Sequence, residues 1–208
     1  MNKKINIMAA IKDGIAIALV NFFSVLAAIV LYLLTFWIPY LNVGTTVAIS
    51  SLPALMAKGG AINPLFIFES KYRKNMGEFF ILTAHLTGGI SLGFMFTIIP
   101  GIILSIAWSY ASVLFVDKDL AALESLRESN RITYGNKWRI FWTNCLIGLI
   151  ICVASGIVVV AFCITDIEWL NIVGLVLIAL IVLFSLPATF GVKASVYKQL
   201  IAEDTAAA

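Results

Sequence analysis

His85 is the only histidine in this chain of 208 residues, so it is the one side chain whose ordinary titration falls near neutral pH. Seven residues past Glu78, it stands ~10 Å along a helix from that acidic residue. At such a depth in an apolar segment an ionisable group marks a proton path or a ligand contact. Proton transfer needs an acidic partner, and every Asp and Glu falls outside the apolar segments. The alternative is a neutral imidazole bonded to a Ser, Thr or backbone carbonyl. Asn21 and Asn144 are the other polar groups to explain, and interhelical hydrogen bonds are the expected use for them. Ser24, Thr83 and Thr87 would join these three if a polar path existed.

Nothing else has the spacing of a catalytic or metal site. Cys145 and Cys152 are seven apart on one helix face, and Cys163 stands by itself; no CxxC or Cys/His cluster is present, so no metal is expected. No phosphate-binding loop, nucleophile elbow, HExxH or paired carboxylate occurs. We therefore expect no enzyme activity, no catalytic residue and no cofactor.

The elements that would position these groups are set by lipid. Hydrophobic residues make up 62% of the chain and charged ones 12%, with mean hydropathy +1.03. Soluble domains carry about 25% charged residues, and a single core could not hide this apolar excess. A net charge of +3 gives no support for nucleic acid. Residues 14–57 carry no charge; 44 residues of helix measure ~66 Å, about twice the ~30 Å hydrocarbon layer, so the run folds back. Pro39-Tyr40-Leu41-Asn42 is the expected turn. Residues 79–116 need a second reversal, for which Ile99-Pro100-Gly101 is suited. The reading is an all-α bundle of about six spans in one domain, near 12–38, 43–57, 77–98, 100–116, 138–165 and 169–192. The apolar run behind Met1-Asn-Lys-Lys is far longer than the core of a signal peptide and reads as a retained first span.

Charge gives the orientation. With the N-terminus inside, all 14 Lys and Arg fall in cytoplasmic segments, while the outer loops carry only Asp166 and Glu168. Both termini are then cytoplasmic. Trp37, Tyr40 and Trp169 lie at the outer boundary, and Trp138, Trp142 and Tyr197 at the inner one, as an aromatic belt requires.

Two inner segments are amphipathic. In 61–74, Leu65, Phe66, Phe68 and Tyr72 interleave with Lys71, Arg73 and Lys74, which suits a helix in the headgroup layer. In 117–135, Leu120, Leu123 and Leu126 recur at helical spacing between Asp119 as N-cap and Gly135 as C-cap. Glu124–Arg127 and Glu128–Arg131 are possible i,i+3 pairs. Each segment is a candidate surface for anionic lipid or for a membrane or cytoplasmic protein partner; each could equally be a connector folded back on the bundle. In 77–98, Gly88-Gly89-x-x-x-Gly93 offers a small-residue face for close packing.

The run Pro100-Gly101-Ile102-Ile103-Leu104, then Trp108-Ser109-Tyr110-Ala111, Ala122-Leu123-Glu124-Ser125-Leu126, Ser129, Ile132-Thr133, Gly135 and Trp138-Arg139-Ile140-Phe141 resembles a broad superfamily of poorly characterised bacterial six-helix membrane proteins. It includes an enterobacterial family of similar size and the membrane domain fused to some glycerophosphoryl diester phosphodiesterases. The likeness spans roughly residues 43–200 and implies a bacterial cytoplasmic membrane protein. Many members carry a basic residue where this chain has Ala107, and a proline where it has Ser112. The phosphodiesterase activity of the fused relatives resides in a separate soluble domain that these 208 residues do not contain, so the resemblance implies no such activity here. What it leaves is a binding or scaffolding protein first, and a small transporter, channel or export accessory second.

Overall fold

In the computed structural model, which describes residues 4–163 and 168–207, helices dominate and no strand occurs among the described residues. Asp166 lies outside them, as do the side chains of Cys163 and Glu168. The protein is an all-α polytopic membrane bundle. Four helical stretches are long and apolar enough to cross a bilayer: Met76–Phe96 (α6), Ile98–Asp117, Lys137–Phe162 and Trp169–Ala202. The second comprises α7 (Ile98–Ala107) and α8 (Ala111–Asp117); the third is α10 (Lys137–Val158) prolonged by a π-helical turn; the fourth lies within α11 (Glu168–Ala207). In the most apolar stretch of the third, only 6% of residues are buried inside the protein. Such a helix has no soluble solution, and lipid must supply its contacts.

The two expected N-terminal spans are not continuous helices. The first is broken into α1 (Ile7–Val20) and α2 (Phe22–Thr35), which meet at a 71° bend. Together they could make a fifth span. Neither Pro nor Gly causes the bend. Asn21 stands at the joint: its side-chain amide donates at 3.1 Å to the Ile17 carbonyl, which the Asn21 backbone N–H also bonds, and its Oδ1 accepts from the Ile62 N–H at 3.0 Å, tying the bend to a later segment. The second expected span, 43–57, is a short pair, α3 (Leu41–Ser50) and α4 (Leu52–Lys58). Pro53 cannot donate to a continuing ladder. Ser51 at the joint bonds the Ala48 carbonyl at 2.7 Å and the Tyr72 hydroxyl at 3.3 Å.

The reversals fall close to where the sequence puts them. At Pro39-Tyr40-Leu41-Asn42, Tyr40 takes φ +70°, and the Asn42 amide donates to the Phe36 carbonyl at 2.8 Å. The other turns earlier than expected, at extended Thr97, so that Pro100 sits in the first turn of α7, where no N–H is needed. Gly101 admits the Phe94 ring, and a Cβ on Gly93 would meet the Gly101 Cα at 3.0 Å. A Cβ on Gly89 would strike the Trp108 ring, while Gly88 faces open space. The glycine face of α6 is thus consumed by packing within the bundle.

Residues 5–6, 58, 117, 136 and 197–199 gather at one end. The Ile5 N–H donates to Asn136 Oδ1, and the Asn6 N–H to Gln199 Oε1. Lys58 pairs with Asp117 at 2.5 Å, and Tyr197 donates to the same carboxylate at 2.7 Å. A core of Ile5, Ala54, Leu114, Ile140, Val196 and Leu200 lies beneath these bonds.

Candidate functional site

The span Ile98–Asp117 is interrupted at Trp108-Ser109-Tyr110. A break in an apolar setting frees backbone groups that have no water to bond, so another element must supply partners. Here that element is the amphipathic helix α9 (Ala122–Thr133). Ser129 Oγ donates to the Ala107 carbonyl at 2.7 Å and accepts from the Tyr110 N–H at 3.2 Å. Thr133 Oγ1 approaches the Ala107 carbonyl at 3.4 Å. Both side chains are wholly buried. Sequence reasoning missed them, although Ser125, Ser129 and Thr133 recur every four residues as one polar row and could have been read as such.

Beside the break lies a cavity of about 340 Å³ between α7–α8, α10 and α11, lined by Ser109, Tyr110, Asn144, Thr189 and Lys193 with Ile147 and Val192. The Lys193 ammonium stands 5.8 Å from the centroid of the Tyr110 ring. The sequence places Lys193 in the inner segment after the sixth span. The structure carries α11 through that position without a break, from 168 to 207, as a helix prolonged beyond the sixth span requires. Lys193, partly buried, lines this cavity beside Asn144, one of the polar residues singled out above.

The three polar candidates occupy separate places. Asn144 is on the cavity wall. His85 is exposed on α6, its Nδ1 2.7 Å from the Ile81 carbonyl of its own helix. Asn21 is buried at the α1–α2 bend. Replacing Asn21 by Leu leaves the Ile62 N–H without its acceptor, and a lost buried partner costs about 1–3 kcal/mol. Thermal unfolding in detergent should show that loss; an unchanged midpoint would mean the bend does not depend on this amide.

The inner segments are folded against the bundle. In 61–74, residues Pro64–Phe68 form a 3₁₀ turn and Lys71–Lys74 a single helical turn (α5). Phe66 and Tyr72 are buried, Phe68 and Arg73 partly so, and Leu65, Lys71 and Lys74 point outward. The Arg73 guanidinium holds the Phe68 carbonyl at 3.0 Å. Lys71 pairs with Glu69 at 2.6 Å, and that bond raises its pKa. A groove of about 300 Å³ runs between Lys71, Lys74 and Asp119, floored by Val47 and Phe115.

In α9, Leu126 is buried in the main core, Leu123 is half exposed, and Leu120, just before the helix, packs partly against the inner-end core. Asp119 is not the N-cap. It takes φ +51° and accepts from the Asn75 amide, and the helix begins three residues later with its Ala122 N–H bonded to Glu78 at 3.1 Å. Gly135 does follow the helix end with φ +82°. Glu128 pairs with Arg131 and Lys118, both at 2.7 Å, which holds its pKa down to about 2. No ion pair joins Glu124 to Arg127 among the described residues.

Over 47 residues the chain is 40% identical to a UPF0259 membrane protein of Sodalis glossinidius (strain morsitans), a match covering 23% of this chain and 19% of that protein. The aligned part is thus about a fifth of the length of this curated relative. No family model and no solved structure matches the chain.

Proposed function

We propose that this chain is a non-enzymatic multi-pass protein of the bacterial cytoplasmic membrane, with both termini inside, whose cytoplasmic face binds a protein partner. The observation that carries this reading is the segment 64–74. Its aromatic residues are spent on the bundle, its backbone is pinned by Arg73, and Leu65, Lys71 and Lys74 are left presented beside a groove. A fixed surface with an apolar residue and two outward lysines suits an acidic, amphipathic partner segment. The relative is itself named a membrane protein of a bacterium, and the concentration of Lys and Arg at one end supports the orientation. Transport receives less support, because His85, Asn21 and Asn144 occupy three separate environments.

A photo-crosslinking residue at position 65 tests the reading in intact cells. It should capture one protein, and Lys71→Glu with Lys74→Glu should lower the yield by about tenfold or more, as reversal of two contact charges implies. Adducts to lipid alone, or a yield indifferent to the double charge reversal, would overturn it.

A further inference from the structure

Three residues whose side-chain donors make no hydrogen bond within the protein, Lys193, Tyr110 and Asn144, line the cavity beside the broken span. Several other cations at this end have partners, Lys58 in Asp117, Lys118 and Arg131 in Glu128, and Arg139 in the Ile5 carbonyl, while Lys12, Lys74 and Lys198 are exposed. Among the described residues, no carboxylate lies within ion-pair distance of Lys193. The Tyr110 side chain, 2% exposed, has no hydrogen bond from its hydroxyl, and the Asn144 amide has none either. By contrast, the Ser109 and Thr189 hydroxyls in the same wall already donate to the Ile106 and Leu186 carbonyls. The cavity wall contains no Asp or Glu. A cation with two free neutral donors and no carboxylate is a site for an anion.

The position indicates which anion. Asn144 and Thr189 are exposed residues of membrane-spanning stretches, so the cavity opens on the surface those stretches form. Lys193 is 24 residues past Trp169, ~36 Å along a helix, which exceeds the ~30 Å of hydrocarbon. Its ammonium therefore lies at the level of lipid phosphates, while Ile147 and Val192 line the cavity with apolar surface. We infer that this cavity holds a phosphate group, and that its source is the headgroup of an anionic phospholipid, with the ammonium of Lys193 as counter-charge and Tyr110 and Asn144 as donors. Basic pockets between spans near the membrane surface bind such headgroups. The inference concerns a different surface from the partner site and stands without it.

The test titrates the full chain in detergent with dioleoyl-phosphatidylglycerol and reads bound lipid by native mass spectrometry. A first lipid should bind the wild type tightly. Lys193→Gln should weaken that lipid by about tenfold or more and Asn144→Ala by less, as expected when charge-assisted bonds are lost, whereas Lys193→Arg should keep most of the affinity. An unpaired cation does not stabilise the fold, so Lys193→Gln should melt no lower than the wild type in anion-free detergent, which separates a lost site from lost folding. A second arm adds inorganic phosphate alone. A Lys193-dependent rise in melting temperature with phosphate, and none with the lipid, would keep the anion site and overturn the lipid source. Equal lipid binding by the wild type and Lys193→Gln, with no Lys193-dependent response to phosphate, would overturn the proposal.

Discussion

Gly191→Leu should release α1 from α11 and destabilise the protein by about 3 kcal/mol or more, the upper part of the range for overpacking. The two helices run antiparallel, with Asn6 bonded to Gln199, Gly14 against Val192 and Ala18 against Gly191. At the crossing, backbone meets backbone. A Cβ on Gly191 would collide with the Gly14 carbonyl oxygen and lie 2.9 Å from the Ala18 Cβ; one on Gly14 would lie 2.5 Å from the Val192 Cα. Backbone cannot swing aside as a flexible side chain can, so the helices must part. The N-terminal residues would go with them, including Ile5, which Asn136 and Arg139 hold. Hydrogen exchange over residues 7–20 should rise sharply and the melting temperature should fall. Gly88→Ala is the control: its Cβ meets nothing within 4 Å, and Ala is the better helix former. Protection of 7–20 unchanged in Gly191→Leu would show that the crossing is looser than this geometry.

That crossing illustrates what a sequence of this kind withholds. Charge-free runs announce membrane segments because a buried charge is costly anywhere along them. Reversals are announced by local chemistry, as at Pro39-Tyr40-Leu41-Asn42. The 71° bend at Asn21 has no such marker: the bond that ties it down comes from the Ile62 N–H, 41 residues away, which gives the asparagine an acceptor role only in the folded chain. Likewise Gly14 and Gly191 are unremarkable until 177 residues of chain bring them together. The surroundings of Lys193 are hidden for the same reason. Counting charges as boundaries ends the last span at 192 and puts Lys193 just beyond it, but that Tyr110 and Asn144 share a cavity with it follows only from packing between distant parts of the chain. Nor does spacing show that Ala107 gives its carbonyl to Ser129, or that Lys193 stands beside Tyr110.

The inner helix α9 separates two leucines that spacing alone treats as equivalents. Leu123→Glu should change stability by no more than about 0.5 kcal/mol, because the side chain is 50% exposed and sits away from the helix's bonded face. Leu126→Glu should cost about 3 kcal/mol or more. The leucine is 6% exposed within the main core, so the substitution both empties that volume and buries a carboxylate without a partner. The consequence extends beyond α9. Ser129, one turn on, satisfies the Ala107 carbonyl and the Tyr110 N–H, so a displaced α9 leaves the interrupted span with unpaired backbone groups in an apolar setting. The wall of the Lys193 cavity would lose its shape with it, since Tyr110 is part of both. The expected pattern is a normal melting curve and normal lipid retention for Leu123→Glu. For Leu126→Glu a depressed melting temperature, rapid hydrogen exchange over 107–111 and weakened lipid binding should appear together, though neither leucine lines the cavity. Exchange at 107–111 that stays slow in Leu126→Glu would break the link between α9 and the interrupted span.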